Sequence, residues 1–124
     1  MKTILIVEDN EKNMKLVRDV LQAKGYATIE AGTGEVGVRL AKERTPALVL
    51  MDIQLPGIDG IEALKRLRAD PATAAIPVIA VTASVMASDR RSIVDAGFDG
   101  YVAKPINLRE FLDAVASAVG GREG

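Results

Sequence analysis

The chain has 124 residues, 48% of them hydrophobic, a formal net charge of −1, and neither cysteine nor histidine. That is one domain's worth of chain with apolar content enough for a single core, and its mixed charges give no reason to expect nucleic acid or an anionic membrane as a partner. The missing residue types exclude a disulfide frame, thiolate or imidazole metal ligands, a thiol nucleophile, an imidazole general base and any phosphorylated imidazole carried by this chain itself.

The N-terminus has no apolar run long enough for a signal peptide, and no segment approaches ~18 consecutive apolar residues, so a soluble, cytoplasmic protein is expected. The first apolar run is "TILIVE" (Thr3–Glu8), read as a strand. From Glu11 to Lys24, Met14, Val17 and Leu21 fall on one helical face, and Gly25 stands where a C-terminal cap belongs. "ATIEA" (Ala27–Ala31) is a second strand, and its Thr28 and Glu30 suit a sheet edge. "ALVLMD" (Ala47–Asp52) is continuous apolar sequence running into an aspartate, and the turn containing Pro56 and Gly57 follows at once. A helix is expected from Gly60 to Ala69, where Ile61, Leu64, Leu67 and Arg68 repeat at helical spacing. "RADPATAAIP" (Arg68–Pro77) reads as a plain connecting loop before "PVIAVTA" (Pro77–Ala83), the fourth strand. The short "GYVAK" (Gly100–Lys104) is the fifth. "NLREFLDAVASAV" opens with Asn107 as a cap and Glu110 three residues on, close to a capping box, and is expected to bury Leu108, Phe111, Leu112 and Val115.

Five strand–helix units fill the chain, so the fold class is α/β with a parallel sheet and helices on both faces. Strands one, three and four are continuous apolar runs, as buried central strands should be, whereas strands two and five look like edges. The order 2-1-3-4-5 with right-handed crossovers satisfies this. Its ligand crevice lies beyond the carboxyl ends of strands one and three. One domain over residues 1–119 is expected, followed by a frayed tail at 120–124 ("GGREG" spans the end) and no output domain.

The residues delivered to that edge are Glu8 and Asp9 from strand one, Asp52 from strand three, Thr82 from strand four, and Lys104 with Pro105 from strand five. Three carboxylates, a hydroxyl and an ammonium thus converge. Neighbouring carboxylates repel by several kcal/mol at an effective dielectric of roughly 20 and call for a cation. With oxygen donors alone, Mg²⁺ is favoured, since it keeps several waters and takes one or two carboxylates plus phosphate oxygens. A metal beside Asp52 and a lysine opposite it would stabilise charge on a phosphoryl group arriving at the carboxylate, and Thr82 can donate to a phosphoryl oxygen. Each residue also has a plain structural reading. Asp9 or Asn10 could cap the first helix, Lys104–Pro105 could be an ordinary turn, Thr82 suits any strand, and Glu8 could be a solvated strand end. What distinguishes them is their collection at one end of the right strands.

The set "VEDN" (Val7–Asn10), "MDIQLPGIDG" (Met51–Gly60), "VTA" (Val81–Ala83) and "KPI" (Lys104–Ile106) resembles the receiver domain of two-component response regulators, over essentially the whole chain. Its wording is most similar to single-domain regulators of cell division and to receivers attached to hybrid kinases. The resemblance implies a flavodoxin-like receiver fold with Asp52 as phosphoacceptor. It implies Mg²⁺ bound directly by Asp9, Asp52 and the Gln54 backbone carbonyl. It also implies Thr82 and Tyr101 as a switch pair, and Lys104 on the phosphoryl group with a cis peptide to Pro105. Glu8 stands where many relatives have a second aspartate, and its longer arm implies contact through water. Ala47 replaces a frequent aspartate at the start of its strand.

The implied partners are a sensor histidine kinase or histidine phosphotransfer protein upstream and a kinase or effector protein downstream, with the chain a monomer or weak dimer. The segment Ser84–Ala96, whose apolar residues Val85, Met86, Ala87, Ile93 and Val94 are sparse, is the candidate for a responding helix. The surface from it through Tyr101 to the last helix is the candidate partner face. Two other classes fit less well. An aspartyl-phosphate phosphatase of the haloacid dehalogenase type wants a second acid two residues after Asp52, where Gln54 stands. A flavodoxin-like mononucleotide binder wants a phosphate-cradling loop after strand one, where the acidic "EDNEKN" stands. A receiver that no longer takes phosphate and serves only for docking is disfavoured by the intact Asp9, Asp52, Thr82 and Lys104.

Overall fold

Alternating side chains along the strands build two apolar layers on one sheet. In a computed structural model that describes residues 2–83 and 87–120 (side chains of 87–90 and 120 excepted), five parallel strands stand in the order β2-β1-β3-β4-β5. They are β1 (Thr3–Val7), β2 (Ala27–Ala31), β3 (Leu48–Asp52), β4 (Val78–Thr82) and β5 (Gly100–Ala103). The helices are α1 (Glu11–Ala23), α2 (Gly34–Arg44), α3 (Gly60–Ala69), α4 (Ala87–Ala96) and α5 (Leu108–Gly120). Ile4, Ile6, Leu48, Leu50, Ile79, Val81 and Val102 face α1 and α5, meeting Val17, Leu21, Phe111 and Val115. Leu5, Val7, Val49, Met51, Val78 and Ala80 face the other way, onto Ala41, Leu64, Leu67 and Ile93. Burial on both faces is why β1, β3 and β4 read as unbroken apolar runs. The expected fold class and strand order are both observed. Glu8 and Lys104, read as strand ends, lie one residue beyond β1 and β5.

Local signals account for the helix starts. Asn10 caps α1, its Oδ1 accepting from the N–H groups of Lys12 (2.9 Å) and Asn13 (3.1 Å), so Asp9 is left for other work. Thr33 caps α2 and Asp59 caps α3. Asn107 Oδ1 accepts from Glu110 N at 3.1 Å, the first half of a capping box.

Two expectations need correction. Leu108 is 46% exposed, whereas Phe111 and Val115 are fully buried. As the first residue of α5 it sits at the carboxyl edge of the sheet, where strand surface to cover it runs out. The segment Arg68–Pro77 is no plain loop. Thr73 is buried and its hydroxyl donates to Leu67 O at 2.7 Å. The Arg68 guanidinium donates to the carbonyls of Ala74 (3.0 Å), Ile76 (2.6 Å) and Gly97 (3.4 Å) and to Asp99 Oδ2 (2.9 Å). Asp99 Oδ2 also accepts from Val78 N at 2.8 Å, tying the start of β4 into the same knot. The expected thin anchoring of α4 is partly visible: Ile93 is buried and Val94 is 62% exposed. Val85, Met86, the side chain of Ala87 and the tail beyond residue 120 lie outside the described residues.

Candidate phosphoacceptor and metal site

β3 is buried at all five positions, and its last residue, Asp52, is 4% exposed. Parallel pairing sets Val7 beside Met51 and Asp52 beside Val81, so the residues following β1 and β4 open onto the same edge as Asp52. Glu8 is 6% exposed and Thr82 2%, whereas Asp9 is open to solvent. Carboxylate oxygens of Glu8, Asp9 and Asp52 lie within 4.8 Å of one another. The sole ammonium bonded to this cluster among the described contacts is Lys104, whose Nζ is 2.9 Å from Asp52 Oδ2 and 3.0 Å from Glu8 Oε1. The peptide from Lys104 to Pro105 is cis.

Backbone N–H groups take up other carboxylate oxygens. Gln54 N donates to Asp52 Oδ1 at 3.0 Å, and Asn10 N donates to Glu8 Oε2 at 3.2 Å. Sequence reasoning missed these bonds, although the first has the Asx-turn spacing of an aspartate followed two residues on by its donor, and Glu8 spans the same spacing with a longer arm. The turn after Asp52 is tight for a further reason. A Cβ at Gly60 would run into the Asp52 carbonyl oxygen, so only glycine lets α3 begin against the backbone of Asp52.

Electrostatics mark the cluster as under-neutralised. Burial, and then the adjoining Asp52 carboxyl, raise Glu8 above its ordinary value of 4.5, against the opposing pull of Lys104. Burial alone would lower Lys104, but Asp52 and Glu8 outweigh it and hold the ammonium's pKa above 10.5. When all three acids are ionised, the one lysine paired with them among the described residues leaves two negative charges uncompensated. A set of hard oxygen donors, close enough to share one ion and short of positive charge, fits Mg²⁺. Thr82 closes β4 one strand away from Asp52, with its register partner Ala103 directly before Lys104. Its carbonyl accepts from Lys104 N at 2.8 Å. Tyr101 is half-buried, opposite Ala80 and two rungs below the Thr82 pair, separated by β4 from the strand that carries Asp52 and outside the cluster.

The family model of the response regulator receiver domain matches residues 4–116. The chain belongs to this family. The receiver is 46% identical over 119 residues to the polar-differentiation response regulator DivK of Brucella ovis, which covers 96% of this chain and 97% of that protein. Its fold is similar to a response regulator from Chloroflexus aurantiacus, with a TM-score of 0.91, 31% identity, and coverage of 96% of this chain and 98% of that one. It is also similar to the receiver domain of the sensor histidine kinase PA1611 of Pseudomonas aeruginosa, with a TM-score of 0.89, 33% identity and the same coverage. That structure is described with a magnesium ion coordinated in its active site cleft. Among the described residues, no helix of the receiver is long and apolar enough to cross a membrane.

Proposed function

We propose that the receiver accepts a phosphoryl group on Asp52 from the phosphohistidine of a sensor histidine kinase or phosphotransfer protein, and signals by a change in its partner-binding face. The observation that carries this reading is the meeting of Glu8, Asp9 and Asp52 around Lys104 at one sheet edge. In the transfer, an Asp52 oxygen bonds to phosphorus as the bond from phosphorus to the donor imidazole nitrogen breaks. The electron pair stays on that nitrogen, and the released imidazole takes up a proton from solvent. Asp9, Asp52 and the Gln54 carbonyl would hold Mg²⁺ directly, with Glu8 acting through water. The ion supplies charge neutralisation for the transferring group.

Lys104, already on Asp52 Oδ2, contacts the phosphoryl group once it is in place. Thr82 donates its hydroxyl to a phosphoryl oxygen, and Tyr101 rotates into the space behind it. The new charge, about −1.5 to −2, biases the position of α4. The partner face runs over α4, β5 and α5. A groove of about 420 Å³ along β5 and α5, lined in part by Tyr101, Gly100, Ala114 and Ala118, supports that choice. A downstream kinase or effector protein binds there. The receiver works in the cytoplasm as a monomer or weak dimer, without nucleic acid or membrane, and its only chemistry is its own phosphorylation and dephosphorylation.

Acetyl phosphate with Mg²⁺ should add one phosphoryl group, removable by hydroxylamine as an acyl phosphate is, and Asp52→Asn should abolish it. Intact-mass spectrometry reads both, and modification of the Asp52→Asn variant overturns the assignment. ATP alone should leave the receiver unmodified, whereas a partner carrying phosphohistidine should transfer to it.

A further inference from the structure

Two glycines one turn apart on α2, Gly34 and Gly37, are both buried. A Cβ at Gly37 would lie 2.7 Å from Cγ2 and 3.1 Å from Cγ1 of Val7, the residue directly before Glu8 and Asp9. A Cβ at Gly34 would lie 2.7 Å from Cγ1 and 3.1 Å from the main-chain oxygen of Ile58, in the loop that also carries Gln54. That loop meets the same turn of α2 at a second point. Gly57, at φ +75°, lies so close to Glu35 that a Cβ there would be 2.7 Å from Oε2 and 3.0 Å from Oε1. Thr33 Oγ1, accepting from Val36 N at 3.1 Å, fixes this first turn. The helix therefore touches, on bare backbone, both segments that carry the candidate metal oxygens.

We propose that the first turn of α2, through Gly34 and Gly37, is a positioning element that sets the separation between the Glu8–Asp9 carboxylates and the Gln54 loop, and so tunes Mg²⁺ binding at Asp52. The inference rests on the metal-assisted phosphoacceptor reading given above. Glycine is disfavoured inside a helix, where Gly37 lies, and with Gly34 at the helix start the two face the two halves of one site, which implies that close approach has a use. Packed interiors transmit strain rather than absorb it. Mg²⁺ demands near-ideal octahedral geometry, so a displacement of a few tenths of an ångström is felt. Neither glycine touches the ion or the phosphoryl group; both act through Val7 and Ile58.

The test is calorimetric Mg²⁺ titration of the full chain, paired with thermal unfolding in a chelator. Gly34→Ala should bind Mg²⁺ about 10-fold more weakly, the usual order for a change behind a metal ligand, while its metal-free unfolding midpoint moves far less. Adding Ile58→Ala, which removes the crowded side-chain atoms, should restore most of the affinity. Gly32→Ala, whose Cβ meets nothing within 4 Å, should match the wild type. Ile58→Ala alone opens the contact instead of crowding it, and should also weaken Mg²⁺ severalfold; it keeps the test decisive if Gly34→Ala does not fold. Wild-type affinity in a folded Gly34→Ala or Ile58→Ala, or a loss that merely follows metal-free stability without rescue, overturns the proposal. Failure of the wild type to bind Mg²⁺ is a separate result and overturns the metal reading itself.

Discussion

At the start of β4, Arg68 and Asp99 meet as one cation and one anion, and neutral backbone groups add to their bonding: three carbonyls on the guanidinium and Val78 N on the carboxylate. At the carboxyl end of the same sheet, three carboxylates gather, and among the described residues Lys104 is the ammonium that pairs with them, at Glu8 and Asp52. The first cluster is balanced, and joins α3, β4 and the turn after α4. The second is short of positive charge and more deeply buried at Glu8 and Asp52. One fold thus holds a charge-balanced polar knot at one end of its sheet, and at the other an unbalanced one of the kind that the proposed cation and phosphoryl group would complete. Removing a partner should therefore cost folding at one end and binding at the other.

Asp99→Ala tests the balanced end and should have the largest effect on folding. It leaves Val78 N, on a fully buried residue, without its acceptor, so urea unfolding should show a loss of about 2 kcal/mol. Mg²⁺ affinity should be unchanged, and a fall in that affinity would mean that the two ends are coupled. Asp9→Asn tests the unbalanced end and should invert the pattern. Mg²⁺ affinity should fall by about 10-fold or more, while metal-free thermal stability stays level or rises because a repelling charge is gone. A large stability loss would restore the capping role for Asp9, which the Asn10 bonds argue against.

Lys104→Ala sharpens the comparison within the unbalanced cluster. Phosphoryl uptake should persist at a reduced rate, since Mg²⁺ remains to neutralise the transferring group, while phosphorylation-dependent partner binding is lost. Both are measured on one sample; absent uptake with normal binding by any residual phosphorylated protein would make Lys104 catalytic instead. The smallest effect is a pH profile. Glu8 is raised in the folded state by burial and by Asp52. Its contribution to stability is therefore complete below its unfolded pKa and is lost as pH rises through the higher folded value. The metal-free urea midpoint should decline as pH rises past 4.5 through that folded value, and the decline should be absent from Glu8→Gln. Asp9, Asp52 and Lys104 face the same group. The lowered Asp19 and Asp70 act in the opposite direction, losing stability as pH falls, and cancel in the difference between the two proteins.

Strand order and the site's acids were legible because each depends on local sequence: apolar runs buried on both faces, and polar residues at the strand ends that topology brings together. The Arg68 knot was not legible, since the partners that define it lie 29 and 31 residues along the chain at Gly97 and Asp99, beyond any periodicity. Leu108 was misjudged because helical spacing reports which face an apolar residue occupies, not whether the sheet extends far enough to cover it. Gly34 and Gly37 carried no signal at all in sequence, since a missing side chain declares its use only when a neighbour is seen against it.

The bond from Lys104 N to Thr82 O ties the strand that ends in the hydroxyl to the residue that carries the ammonium. Sliding β5 along β4 would break this rung and those below it together, so the two strands form a rigid rail. The signal proposed above, from Asp52 toward Tyr101, would then travel as rotation of side chains about fixed backbone. Thr82 is 2% exposed and Tyr101 half-buried, so such rotations there require their packed neighbours to give way, and rearrangement of a whole helix takes microseconds or longer. If α4 responds as proposed above, substitutions in this helix between β4 and β5 should change how fast the receiver switches without changing how fast it takes up phosphate.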